Sequence, residues 1–152
     1  MVLSGRATQG HYYSSCFACL LLINITFQRG AKRTKKCTFF LFAIFKIGAI
    51  GAKRLAGLLA QCAALAHLNL RSNGIEAAGA ESFAGVLGQC PALALLNLGY
   101  NALGRAGAES FAGVLAQCIA LAHLDLYNND IEAVGKERLR ASWRGEASGL
   151  LL

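Results

Sequence analysis

Residues 79–106 read GAESFAGVLGQCPALALLNLGYNALGRA, and residues 107–134 read GAESFAGVLAQCIALAHLDLYNNDIEAV. The two stretches align without a gap and are identical at 17 of 28 positions. One period earlier, residues 51–62 fit the same frame, and one period later Gly135 begins another partial copy. Units of this size cannot bury their apolar faces alone, so neighbouring copies are expected to stack.

Each copy contains a strand pattern followed by an asparagine. Leu68 and Leu70 alternate with polar residues, which predicts a strand with one buried and one exposed face. The asparagine that follows suits a tight turn, because its side chain can satisfy backbone groups that a corner leaves unpaired. These asparagines are Asn73, Asn101 and Asn129.

The other half of each copy has the spacing of a helix. Phe83, Val86, Leu87 and Cys90 are three or four residues apart and therefore share one helix face. Gly79 and Gly107 are expected to precede the helices, where the chain must turn. We interpret the repeated leucines, phenylalanines and cysteines as core.

From Ile47 to Leu139 the pattern resembles the ribonuclease-inhibitor-type leucine-rich repeats, which have an α-helix in every unit. Similar repeats occur in ribonuclease inhibitor, NOD-like receptors and Ran GTPase-activating proteins. The resemblance implies an α/β fold, a right-handed leucine-rich-repeat solenoid shaped as a short horseshoe, with parallel strands on the concave face and helices on the convex face. It also implies a non-enzymatic protein-interaction module that binds a protein partner through the concave face and adjoining loops.

Residues between the buried leucines point away from the core and differ most among the copies. The predicted partner-binding residues are His67, Asn69, Arg71, Ser72, Asn97, Tyr100, His123, Asp125, Tyr127 and Asn128. Tyr100 and Tyr127 are the strongest candidates, because aromatic residues often anchor interfaces. Ordinary packing on a neighbouring strand is the alternative for both tyrosines.

Stacking would align His67, Leu95 and His123 in one column. Strands lie roughly 4.8 Å apart, which separates the two histidines by about 10 Å, too far for a shared metal ion. Asp125 and His123 have no nucleophile beside them, so the pattern does not support a catalytic triad. We therefore expect no catalytic residue, metal, cofactor or small-molecule substrate.

The cysteines form two groups. Cys62, Cys90 and Cys118 keep the repeat frame and are interpreted as small buried apolar residues. Disulfides between successive copies would draw together helix ends that stacking holds apart, which favours reduced thiols and a cytoplasmic location. Cys16-x-x-Cys19 has no second pair downstream and is a weak metal or redox signal.

Charge separates the chain into two parts. Residues 51–152 carry eight acidic and eight basic residues, so the net charge of +7 belongs to residues 1–50. The run Arg29–Lys36 could contact acidic lipid or RNA, but a solvated linker is favoured. The apolar stretches 16–27 and 39–50 are shorter than the roughly 20 residues of a membrane-spanning helix.

We divide the chain into residues 1–36, an irregular leader that is either a cap or disordered, and residues 37–152, a repeat domain. That domain would hold three to four repeats and a C-terminal helical cap. Phe40, Phe42 and Ile47 fall on leucine positions of an incomplete first copy, whereas Phe45 stands where the asparagine belongs. Residues 137–143 should continue the last helix, and residues 150–152 should cover the last repeat.

Two other functions remain open at this level. The first is a small-GTPase regulator of the Ran GTPase-activating type, an activity that needs loop residues the repeat consensus does not supply. The second is a fragment or hybrid gene product in which a repeat tail follows an unrelated leader, as the charge division suggests. The sequence names no partner.

Overall fold

A computed structural model describes residues 46–152, in which strands and helices alternate along the chain. The helices are α1 (Gly48–Leu59), α2 (Glu76–Leu87), α3 (Gly104–Val114) and α4 (Ala133–Ser142). The strands are β1 (His67–Asn69), β2 (Leu95–Asn97), β3 (His123–Asp125) and β4 (Leu150–Leu151). Short 3-10 helices span Leu115–Gln117 and Ala147–Gly149.

The strands form one parallel sheet in the order β1-β2-β3-β4. The register pairs Leu68 with Leu96 and Leu96 with Leu124, each one repeat further along the chain. Each helix packs against the helix of the next repeat. The α/β arrangement with a parallel sheet is therefore present, as the repeat pattern predicted.

The core lies between the sheet and the helices. Leu68, Leu96 and Leu124 from the strands are at most 1% exposed, and Phe83 and Phe111 from the helices are fully buried. Burying a side chain of this size contributes roughly 1.5–3 kcal/mol. The same frame positions supply these contacts in each repeat, so stacking extends one continuous core.

The prediction that Gly79 and Gly107 precede the helices is wrong, because each is the fourth residue of its helix. The chain turns earlier, at Glu76 and Gly104, whose φ angles are 59°. A Cβ on Gly79 would lie 2.8 Å from the Cβ of Ala52 in the preceding helix. Glycine is therefore needed at this position for the close approach of neighbouring helices.

The three cysteines follow their helices and form no disulfide among the residues described. Cys90 is buried, whereas Cys62 and Cys118 are half-buried against the core. Burial raises the pKa of the Cys90 thiol, and burial together with the nearby Cys90 raises the pKa of Cys118. The core interpretation is confirmed for Cys90 and holds in part for the other two.

The C-terminal residues extend the sheet. Leu150 pairs with Leu124 and Leu151 with Asp125, so the leucines predicted to cover the last repeat do so as a strand. Helix α4 ends at Ser142, one residue before the predicted limit at Trp143, whose indole N–H donates to the Glu146 carbonyl.

Several predictions concern residues outside the described range. These are the leader at 1–36, the pair Cys16-x-x-Cys19, the basic run Arg29–Lys36, and the positions Phe40, Phe42 and Phe45 of the incomplete first copy. Within residues 46–152, no helix is both long and apolar enough to cross a membrane. The cytoplasmic location stays a prediction.

Candidate protein-binding face

The face of the sheet opposite the buried leucines carries most of the predicted binding residues. The register places side chains one repeat apart side by side, in the columns His67–Leu95–His123 and Asn69–Asn97–Asp125. Two further columns lie beyond the strand ends. The third consists of Arg71, Gly99 and Tyr127, and the fourth of Ser72, Tyr100 and Asn128. We call these four columns the open face.

The central column of amide and carboxylate side chains has a structural task. Asn69 Oδ1 accepts the Arg71 backbone N–H at 3.1 Å, and Asn97 Oδ1 accepts the Gly99 N–H at 3.0 Å. Asp125 Oδ1 accepts the corresponding Tyr127 N–H at 2.9 Å. One oxygen of each side chain therefore holds the backbone where its strand ends, a role that the sequence pattern did not indicate.

Arg71, Tyr100, Asp125 and Tyr127 form a contact cluster on the open face, here called the tyrosine cluster. The Arg71 guanidinium carbon lies 4.2 Å from the centre of the Tyr100 ring. The rings of Tyr100 and Tyr127 meet edge to face, with centroids 5.6 Å apart. Arg71 Nη1 also lies 3.8 Å from Asp125 Oδ2, so the cluster joins side chains of three repeats.

Gly99 lies close to the Arg71 side chain. It stands between Arg71 and Tyr127 in their column, and a Cβ there would lie 3.4 Å from Arg71 Nη1 and from Asp125 Oδ1. These are ordinary van der Waals distances, and the Arg71 side chain passes close to the middle repeat as it reaches the third. The sequence pattern assigns Gly99 no role, because its proximity to Arg71 and Asp125 appears only when the columns are assembled.

Both rings of the tyrosine cluster remain open to solvent. Tyr100 is 40% exposed and Tyr127 is 53% exposed. A cation–π contact at an exposed site contributes about 0.5–1 kcal/mol. The Arg71–Asp125 pair joins an exposed arginine to a half-buried aspartate at 3.8 Å, and a surface ion pair contributes about 0–1 kcal/mol. These contacts orient the rings while leaving much of their surface available.

Tyr100 occupies a backbone conformation that disfavours large side chains. Its φ is 60°, and the equivalent residues Ser72 and Asn128 have φ of 58° and 54°. The left-handed region costs an ordinary L-residue roughly 1–2 kcal/mol. The Tyr100 N–H donates to the Tyr127 carbonyl at 2.9 Å, which helps to hold this strained turn. Because the equivalent residues share this conformation and Ser72 makes the same type of bond, the conformation belongs to the repeat turn.

The predicted histidine column is confirmed, since Leu95 pairs with His67 on one side and with His123 on the other. Both histidines are exposed. A groove of about 230 Å³ runs beside His123, and its lining includes Leu95, Ser148 and Leu151. Residues 148 and 151 join this face because β4 extends the sheet, which the repeat pattern could not show. Within residues 46–152, no group of metal-ligating side chains comes together.

Behind the open face, buried asparagines connect the repeats. Asn101 Oδ1 accepts the N–H of Asn73 at 2.8 Å and that of Ile75 at 3.3 Å. Its Nδ2 donates to the carbonyls of Leu70 and Leu98, at 2.9 and 2.7 Å. Asn129 repeats these contacts one unit later. The predicted turn role is confirmed, and the bonds also span repeats. Asn73, Asn101 and Asn129 are here called the asparagine ladder.

The outer surface of the helices carries a separate ionic group. Glu109 Oε1 lies 3.0 Å from Arg105 Nε and 3.3 Å from Arg138 Nη1. The hydrogen bond from Arg105 lowers the pKa of the Glu109 carboxyl, although partial desolvation opposes the shift. All three side chains are well exposed, so this group is a solvated helix surface and does not form a site.

Comparison with known proteins supports the repeat interpretation. The family model described as Leucine Rich repeat matches residues 61–84 and 89–112. These segments include β1, β2 and Cys90, together with residues 76–84 of α2 and 104–112 of α3, in the frame seen in the structure. No curated protein matches the chain. The chain therefore contains at least two leucine-rich repeats.

Proposed function

We propose that the chain is a protein-interaction module that binds a partner protein through the open face and its adjoining loops. Leucine-rich repeats generally mediate protein–protein interactions. The observation that carries the proposal for this chain is the tyrosine cluster, in which two exposed rings are held by contacts with each other and with Arg71. Preorganised aromatic side chains bind well, because little conformational freedom is lost on association.

The expected shape follows from the spacing of the two layers. Packed helices lie about 8–10 Å apart, whereas neighbouring strands lie about 4.8 Å apart. A stack with helices on one side and strands on the other should curve toward the strands, which makes the open face concave. Parallel strands joined by crossovers are right-handed in nearly all proteins. We infer a short right-handed solenoid of the ribonuclease-inhibitor type.

The chemistry of the open face favours a protein over a nucleic acid. Nucleic-acid sites are built from cations that neutralise phosphates, but Arg71 is the only lysine or arginine in the four columns and lies beside Asp125. The remaining surface combines tyrosine, histidine, asparagine and leucine. Tyrosines among small polar groups are typical of protein interfaces.

Affinity capture with matched variants tests the proposal. The double variant Tyr100→Asn/Tyr127→Ser removes both rings and puts at position 100 a residue type that tolerates positive φ, as Asn128 does in the next repeat. Glu81→Ala, on the exposed surface of α2, is the control. We expect wild type and the control to recover a shared set of proteins, and the double variant to recover at most a tenth as much.

Equal thermal unfolding curves for the three proteins are required, so that a loss of capture reports on the surface. If the double variant recovers the same proteins in the same amounts, the open face is not the binding surface. A set of proteins lost only with Glu81→Ala would assign binding to the helices instead.

A further inference from the structure

The groove beside His123 has apolar walls on the open face. Leu95 in β2 and Leu151 in β4 lie on either side of β3, and both line the groove. Leu151 pairs with Asp125, so it extends the column of amide and carboxylate side chains with an apolar one. The Leu151 side chain is 54% exposed. An aliphatic chain of a partner can therefore remove apolar surface from water here.

The same groove holds a single full charge. Asp125 is the only aspartate, glutamate, lysine or arginine among the described residues that line it. Its Oδ1 accepts the Tyr127 N–H at 2.9 Å, but no described residue donates a hydrogen bond to its Oδ2. Arg71 Nη1 lies 3.8 Å from Oδ2, beyond hydrogen-bond distance. Since an ionised carboxylate offers about four acceptor sites, Oδ2 can take a further donor.

A second cation at Asp125 is compatible with the presence of Arg71. The surface of the helices gives an example within this protein, because Glu109 Oε1 lies 3.0 Å from Arg105 Nε and 3.3 Å from Arg138 Nη1. One carboxylate can therefore serve two cations here. Asp125 can keep its distant contact with Arg71 and accept a closer donor at Oδ2.

We propose that the groove binds a lysine side chain of the partner protein, with the ammonium group at Asp125 Oδ2 and the methylene groups against Leu95 and Leu151. This inference rests on the proposed function and names the chemistry that the partner presents to the open face. Lysine buries its aliphatic stem along apolar surface while its charged end meets a polar group. The groove of about 230 Å³ is smaller than the roughly 300–1,000 Å³ of small-molecule sites, so it fits one side chain.

The bonding of Asp125 favours lysine over arginine. Arginine binds a carboxylate best through two parallel hydrogen bonds, one to each oxygen. Asp125 Oδ1 is already occupied by the Tyr127 N–H, which leaves only Oδ2 for a partner. An ammonium group is a compact charge that needs one oxygen. The groove therefore matches lysine more closely than it matches the planar guanidinium group.

Short peptides test the groove without an identified partner. The first probe is acetyl-Gly-Gly-Lys-Gly-Gly-amide, and the second has norleucine in place of the lysine, which keeps the four-carbon stem and removes the ammonium group. A third probe carries arginine at the same position. Each is titrated into the ¹⁵N-labelled full-length chain to about 10 mM, a range that detects a Kd near 1 mM. The shifts of the backbone amides give the affinity and the location of binding.

We expect the lysine peptide to shift the amides of His123 and Leu151 and to bind about five- to tenfold more tightly than the norleucine peptide at low salt. Asp125→Asn is the matched variant, because an amide oxygen at this position still accepts the backbone N–H, as Asn97 does for Gly99. In this variant the lysine and norleucine peptides should bind equally.

Three results would overturn the lysine groove. The first is equal affinity of the wild-type chain for the lysine and norleucine peptides, or no shift of the two amides with either. The second is a lysine preference that persists unchanged in Asp125→Asn. The third is tighter binding of the arginine peptide than of the lysine peptide, which would assign the groove to a guanidinium group.

The titration and the affinity capture can fail independently. If the lysine preference is absent while Tyr100→Asn/Tyr127→Ser still loses its partners, the open face binds by other contacts and only the lysine groove is overturned. If the lysine preference is present while the double variant recovers its partners in full, the groove chemistry stands and the proposed function of the open face fails.

Discussion

Replacing Asn101 by alanine should be among the most damaging single changes in this domain. Asn101 is 1% exposed and lies in the middle of the asparagine ladder. Its Oδ1 accepts two backbone N–H groups, and its Nδ2 donates to backbone carbonyls on both sides. The substitution removes all of these contacts and adds no group that could replace them.

The size of the stability loss depends on which backbone groups would be left without a hydrogen-bond partner. The Leu70 and Leu98 carbonyls keep a donor, because the Nδ2 groups of Asn73 and Asn129 bond to them as well. The N–H groups of Asn73 and Ile75 lose the acceptor they share. A buried donor without a partner costs about 1–3 kcal/mol, so two donors predict a loss of about 2–6 kcal/mol. Domains of this kind have a total stability of about 5–15 kcal/mol.

Urea unfolding of the variant and of a matched control measures this loss. Asn97→Ala is the control, because it makes the same chemical change in the same repeat but removes one hydrogen bond, to the Gly99 N–H, on the open face. We expect the control to lower the free energy of unfolding by about 0.5–1.5 kcal/mol. If Asn101→Ala costs no more than Asn97→Ala, the ladder does not support the turns as described.

Three further predictions use other contacts. Gly79→Ala should lower the free energy of unfolding by about 1–3 kcal/mol through overpacking. Gly85→Ala on the same helix, where a Cβ meets nothing within 4 Å, should raise it by about 0.5–1 kcal/mol. If urea unfolding shows that the two variants change the free energy of unfolding in the same direction, the close helix packing at Gly79 is contradicted. Asp125→Asn keeps an oxygen acceptor but removes the charge facing Arg71, so the free energy of unfolding in urea should change by less than about 1 kcal/mol. A larger loss would mean that solvent does not screen the ion pair. Burial raises the pKa of the Cys90 thiol, so iodoacetamide at about pH 8 should alkylate Cys90 more slowly in the folded chain than in the urea-unfolded chain. Equal alkylation rates would show that the thiol is accessible in the folded chain.

Much of the fold can be predicted because the repeats are nearly identical at their buried positions. Once the frame is aligned, Leu68, Leu96 and Leu124 must occupy equivalent places, and stacking then fixes the register of the strands. The turn role of the asparagines follows from the same alignment, because a turn repeated at a fixed interval needs the same polar group each time, whereas their bonds to the neighbouring repeat appear only in the structure. The open-face columns are predictable for the same reason.

Other features depend on distances that a repeat pattern does not contain. Gly79 resembles a turn residue in the sequence, yet its role is set by the approach of Ala52 from the preceding helix. The contact between Arg71 and Asp125 spans two repeat intervals and passes close to Gly99. Strand β4 lies outside the regular copies, so its pairing with β3 has no signal beyond three terminal leucines.

The central claim is that a partner protein binds the open face, and site-specific photo-crosslinking tests it most directly. Benzoylphenylalanine incorporated at position 95, in the centre of the open face, is compared with the same group at position 81, on the exposed surface of α2. We expect a captured partner to cross-link from position 95 and not from position 81. Cross-linking from position 81 with none from position 95 would contradict the assignment of the open face as the binding surface.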